Sequence, residues 1–90
     1  MYVILYSDDV LNEDLPNILE PWRSEISKAI ESKLMTRPQV YSRPLRRSLR
    51  GYRKLRVGDY RVVLRIEDKS IKVLVIQHRS IVYETAAKRL

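Results

Sequence analysis

Residues 52–78 read YRKLRVGDYRVVLRIEDKSIKVLVIQH, and two short polar interruptions divide the stretch into three segments. Each segment repeats with a period of two, the pattern of strands with two unlike faces. Gly58-Asp59 joins the first two. A two-residue loop opening on glycine is a hairpin signal, because glycine tolerates the positive φ that such turns require. Glu67–Ser70 forms the second polar turn and leads into Ile71–His78. The stretch therefore predicts three consecutive antiparallel strands.

A two-residue loop at Gly58-Asp59 sets the register: Val57 opposes Tyr60, Arg56 opposes Arg61, Leu55 opposes Val62 and Lys54 opposes Val63. Alternation then puts Leu55, Val57, Tyr60, Val62, Leu64, Ile66, Ile71, Val73 and Val75 on one side, the expected core face. The other side collects Lys54, Arg56, Arg61, Arg65, Lys72 and His78, with Val63, Leu74 and Ile76 among them. Arg56 faces Arg61 and, with a symmetric second turn, Arg65 faces Lys72. Like charges directly opposed in a sheet cost up to about 1 kcal/mol per pair. A bound phosphate would turn that repulsion into bidentate contacts; alternatively, the side chains splay into water.

Upstream, Tyr2–Tyr6 predicts a first strand, and Ser7-Asp8-Asp9 can end it and cap a helix. Leu11, Leu15, Ile18 and Leu19 recur at helical spacing, but Pro16 keeps that helix short. Trp22, Ile26, Ala29, Ile30 and Leu34 form one stripe, predicting a helix over residues 21–35. Pro38 and Pro44 bracket an irregular segment. At the other end Ser80 can cap a last helix with body Ile81–Arg89. The expected fold is α+β: a small, twisted, mainly antiparallel four-stranded sheet, an N-terminal helical hairpin on one face and a short C-terminal helix.

Ninety residues suffice for one hydrophobic core, so one domain spanning 1–90 is expected. With no cysteine and one histidine, disulfides and metal sites are not expected. The N-terminus has neither a basic leader nor an apolar run long enough for a signal peptide or membrane span, so a cytoplasmic location is expected. Charge is unevenly distributed. Residues 1–42 carry seven acids and four bases, a net −3; residues 43–90 carry four acids and fourteen bases, a net +10. That asymmetry points to a polyanion, nucleic acid first, bound by one side of the molecule. The alternative is a surface kept soluble by charge.

The run LRRSLRGYRKLRVGDYRVVLRIED (45–68), followed by VLVIQHRSIVYE (73–84), resembles the RelE-like branch of the RelE/ParE toxins of type II toxin-antitoxin systems. EDLPNI (13–18) and ISKAIESKL (26–34) extend the resemblance over nearly the whole chain. The ordered series Leu-x-Gly-Tyr, Leu-Arg-Val-Gly-Asp-Tyr-Arg and His-Arg-x-x-Val-Tyr is its specific part. The resemblance implies a RelE-like fold and a metal-independent endoribonuclease, an mRNA interferase that cuts A-site codons on the ribosome by 2′-hydroxyl attack, without cofactor. Arg61 matches the phosphate-stabilising arginine and Lys54 a lysine near the 2′-hydroxyl, which could act as a base only if neighbouring cations disfavour its protonated form. Arg79 would assist the leaving group electrostatically, and Tyr83 would stack on or orient the substrate. His78 competes as an acid or base, or is structural. Arg46, Arg47, Arg50, Arg53, Arg56 and Arg65 are candidate contacts to messenger or ribosomal phosphates.

Two positions depart from the family pattern: Leu64 where relatives often have tyrosine, and Ser42 where they often have glycine. Lethality of the free toxin implies a cognate antitoxin, expected as an acidic segment over the basic face and over Val63, Leu74 and Ile76. The rival within the same fold is a ParE-like toxin that binds DNA gyrase and is no enzyme. A DNA-binding or purely structural protein comes third, since it leaves the His-Arg-x-x-Val-Tyr ending unexplained.

Overall fold

The computed structural model describes all residues from Met1 to Leu90. Strand β1 (Val3–Tyr6) is followed by a π-helical segment (Val10–Asp14) and a 3-10 turn (Leu15–Asn17). Pro16 lies in that turn and closes the segment, as its missing N–H requires. Ser7 starts it: its hydroxyl accepts a bond from the Val10 amide at 3.2 Å. Helix α1 (Trp22–Ala29) continues as a π-helical turn to Leu34, so the predicted 21–35 helix is present with changed winding. The segment bracketed by prolines holds a single helical turn, α2 (Pro38–Tyr41), and a two-residue strand, β2 (Arg43–Pro44). Strands β3 (Arg53–Val57), β4 (Tyr60–Glu67) and β5 (Ser70–His78) precede helix α3 (Val82–Arg89).

The sheet has five strands in the order β1-β5-β4-β3-β2, one more than expected because β2 pairs with β3. Only β1 and β5 run parallel. The hairpin register is the predicted one, from Val57 opposite Tyr60 to Lys54 opposite Val63, with Gly58 at φ 59°. Trp22 lies close over that glycine, so a Cβ there would come within 2.5 Å of the indole.

The pairing of β4 with β5 contains one irregularity. Val63 pairs with Val75 and Leu64 with Val73, leaving Leu74 as an extra residue. A bulge of this kind inverts the alternation of everything beyond it. The predicted faces hold up to Val73 and reverse afterwards. Ile76 therefore joins the main core between the sheet and the helical hairpin, with Ile26, Ile30, Leu34, Leu55, Val62, Leu64, Ile71 and Val73. Val75, predicted for that core, lies on the opposite face, where Val63, Val82 and Ala86 form a second cluster under α3. Leu64 is fully buried in the main core, where an aliphatic side chain is accommodated.

The end of α3 is fastened to the helical hairpin. The Arg89 guanidinium meets the Asp14 carboxylate in two bonds of 2.9 Å and reaches Glu13 at 3.1 Å. Hydrogen bonding to Asp14, outweighing the opposing cost of desolvation, raises the pKa of Arg89 further above its already high ordinary value. The Asp14 carboxylate also accepts the Ile76 amide at 2.8 Å, beside the bulge, and so caps β5 where β1 has ended. Ser80 does not cap α3, which has no side-chain cap; its hydroxyl and amide both engage the His78 Nδ1.

Candidate nucleic-acid interface

Lys54 and Arg56 on β3 and Arg61 on β4 share the α3 side of the sheet, as strand alternation dictates. Together with Arg43 and Tyr41 they line a cavity of about 230 Å³. Arg61 folds back along its own hairpin, its Nη1 donating to the carbonyls of Gly58 (2.8 Å) and Tyr60 (2.9 Å). None of Arg43, Lys54, Arg56 and Arg61 takes part in an ion pair. The Lys54 ammonium lies 5.7 Å from the centre of the Tyr83 ring, which α3 presents from above the sheet. Arg79 sits just past β5 at the same end of the hairpin. Its amide donates to the Asp59 carbonyl at 2.8 Å and its exposed guanidinium lies 3.6 Å from the Asp59 carboxylate.

Lys54, Arg56, Arg61 and Tyr83 are thus gathered at one place, with Arg79 at the turn beside them. His78 is not. Because Leu74 shifts the phase of β5, His78 pairs with Tyr60 on the opposite face, and Gln77 takes the position opposite Arg61. The imidazole meets the Tyr60 ring edge-on at 5.8 Å, and Tyr60 in turn contacts Trp22 at 5.7 Å. The expectation that His78 shares the charged face is corrected on this ground.

The two opposed cation pairs also differ. Both form as predicted, Arg56 with Arg61 and Arg65 with Lys72. Glu67 bridges the second pair, with one carboxylate oxygen 3.1 Å from Arg65 and the other 3.2 Å from Lys72. Its charge is met within the chain, and the expectation of a bound phosphate there is withdrawn. Sequence alternation could not show this, since Glu67 ends β4 and reads as a turn residue. The Arg56–Arg61 pair has no such carboxylate.

Arg53, a candidate phosphate contact, is committed to the fold. Its Nε donates to the buried Ser42 hydroxyl at 2.7 Å and its Nη2 to the Ser42 and Gln39 carbonyls. This gives the Ser42 departure a role, since glycine would offer no hydroxyl. Arg46, Arg47 and Arg50 are exposed. Of the three expected antitoxin contacts, Val63 and Ile76 are fully buried, one under α3 and the other in the main core, and only Leu74 keeps some exposure.

The fold, a small mainly antiparallel sheet with a helical hairpin and a C-terminal helix, is shared with solved bacterial and archaeal toxin-antitoxin structures. The most similar solved structures include the toxin-antitoxin complex RelBE2 of Mycobacterium tuberculosis (26% identity, TM-score 0.81, 88% of this chain and 92% of that one). They also include the RelB-RelE complex of Methanococcus jannaschii (19%, TM-score 0.70, 90% and 96%) and the E. coli toxin RelE with an antitoxin peptide (21%, TM-score 0.67, 99% and 97%). No curated protein sequence matches the chain. The family described as the ParE toxin of type II toxin-antitoxin system, parDE, matches residues 11–83, and the chain belongs to it, within the RelE/ParE superfamily.

Proposed function

We propose that this toxin is a ribosome-dependent mRNA endoribonuclease that uses no metal. One observation carries the proposal: Lys54, Arg56 and Arg61 converge on a single cavity beside Tyr83 with no carboxylate to neutralise them. With Arg43 they make four unpaired cations around about 230 Å³, a site for an anion with several oxygens, and a phosphodiester fits that description. In the reaction the 2′-oxygen bonds to phosphorus, the bond from phosphorus to the 5′-oxygen breaks, and a cyclic phosphate and a 5′-hydroxyl result. Lys54 takes or orients the 2′ proton, Arg61 and Arg56 stabilise the five-coordinate phosphorane, and Arg79 stabilises the leaving oxygen, which takes its proton from water. Tyr83 holds a base by stacking.

The cognate antitoxin is an acidic segment that covers this groove, attracted by the +10 half of the chain. The reading is tested by adding the purified chain to a translation reaction and mapping new 5′ ends on the message. Cuts within A-site codons, lost in Arg61→Ala, are expected. The family match keeps one rival in view: an intact message together with inhibited DNA gyrase would replace the nuclease with a gyrase-binding toxin.

A further inference from the structure

We propose that Tyr41 forms a second base-stacking platform, holding the nucleotide on the far side of the scissile phosphate from Tyr83. The inference rests on the nuclease reading and assigns a substrate subsite within it. Tyr41 ends α2 and borders the cavity lined by Arg43, Lys54, Arg56 and Arg61. Lys54 belongs to both neighbourhoods: it lines this cavity and lies 5.7 Å from the Tyr83 ring. Through Lys54 the cation cluster is linked to two aromatic rings, in the sequence ring, cation, ring. In single-stranded RNA, bases alternate with phosphates, so that order of side chains matches a dinucleotide step.

Tyr41 also has the mechanical properties of a platform. The residue is 47% exposed, yet the backbone beside it is pinned. Ser42 is buried, its amide and hydroxyl both bond the Pro38 carbonyl, and Arg53 grips Ser42 and the Gln39 carbonyl. Arg43 then pairs with Lys54 across β2 and β3, tying the tyrosine's segment to the cation cluster. The Lys33 ammonium lies over the ring at 5.7 Å and adds positive charge where an RNA strand would leave the groove. An exposed aromatic on a fixed backbone loses little freedom when a base stacks on it.

The test uses the same translation reaction, with cleavage rate followed against toxin concentration. Tyr41→Ala and Tyr41→Leu are expected to raise the half-saturating concentration about five- to a hundredfold, with the maximal rate within about threefold of the parent. Tyr41→Phe and Tyr41→Trp should restore it, since they keep the π-face. The base preference on one side of the cut should flatten in the alanine and leucine variants, and thermal midpoints are compared so that misfolding is seen directly. If the parent cuts messages and the alanine and leucine variants match it in saturation and preference, the platform is wrong and the nuclease stands. Loss in Tyr41→Phe equal to that in Tyr41→Ala would also overturn it, because the hydroxyl and not the ring would then be at work. Absence of cleavage by the parent removes the nuclease reading and the subsite together.

Discussion

Arg89, one residue from the C-terminus, holds Asp14 of the first helical segment in a two-pronged contact with both bonds at 2.9 Å. The carboxylate is fully buried and the guanidinium is 13% exposed. Breaking one side of such a pair leaves a charge without a partner and costs about 3–5 kcal/mol. Arg89→Met is therefore expected to lower the urea midpoint strongly and to release α3 from Val63 and Val75, increasing binding of an apolar dye. Arg89→Met with Asp14→Asn should recover part of the loss, a non-additivity that a double-mutant cycle reads directly.

Gly58 combines two constraints: a φ of 59° and a Trp22 ring lying where a Cβ would stand. Gly58→Ala is expected to cost about 1–3 kcal/mol from the left-handed backbone and the displaced indole. Trp22→Ala in the same chain should remove the steric share and leave the backbone share, visible as a smaller cost for Gly58→Ala in that background.

Arg53 and Arg50 stand three residues apart and should behave oppositely. Arg53→Ala removes bonds to the buried Ser42 and is expected to cost about 1–3 kcal/mol in stability. Exposed Arg50→Ala should leave the melting temperature unchanged. If Arg50 touches a single-stranded phosphate, its loss lowers the salt slope of RNA binding by about 0.7.

His78 faces away from Lys54 and Arg61, so His78→Gln is expected to leave the cleavage rate within about threefold of the parent and the shape of the pH–rate profile unchanged. A larger loss of rate or a changed profile in that variant would return the imidazole to the chemistry.

Burial, aided by the nearby Glu31 carboxylate, raises the Tyr6 phenol above the usual tyrosine range. A raised folded pKa means that the folded state favours the neutral phenol. The stabilisation it contributes is present in full below the unfolded value of about 10 and is lost as pH climbs through the folded value. Tyr6→Phe should accordingly flatten the alkaline limb of stability against pH above about 10 and leave the neutral region unaffected.

Much of this architecture was legible from spacing. Gly58-Asp59 permits one register only, so Arg56 opposite Arg61 and Lys54 opposite Val63 followed from counting. The same counting misplaced Val75, Ile76 and His78, because in Val73-Leu74-Val75-Ile76 both alternating sets are apolar and nothing marks the extra residue. Strand β2 escaped notice because it is two residues long and half proline. The structural duty of Arg53 was hidden as well, since one arginine among many reads as surface charge until its partners are seen. Register alone set Lys54 and Arg61 on the cationic face, and the roles proposed for them, Arg79 and Tyr83 came from the family resemblance, whereas Tyr41 matched no pattern and emerged only from the shape of the cavity.

Leu74 makes β5 a strand with two phases. Up to Val73 its inward side chains serve the helical hairpin; from Val75 onward the assignment is exchanged. Deleting that one leucine would leave Val73 opposite Leu64 and Val75 opposite Val63 in an uninterrupted ladder, so the strand's last four side chains would keep the faces they hold now. In a lineage of related chains, one residue can therefore be lost here without exchanging side chains between scaffold and groove, whereas a loss within the regular part of the ladder would exchange every side chain beyond it.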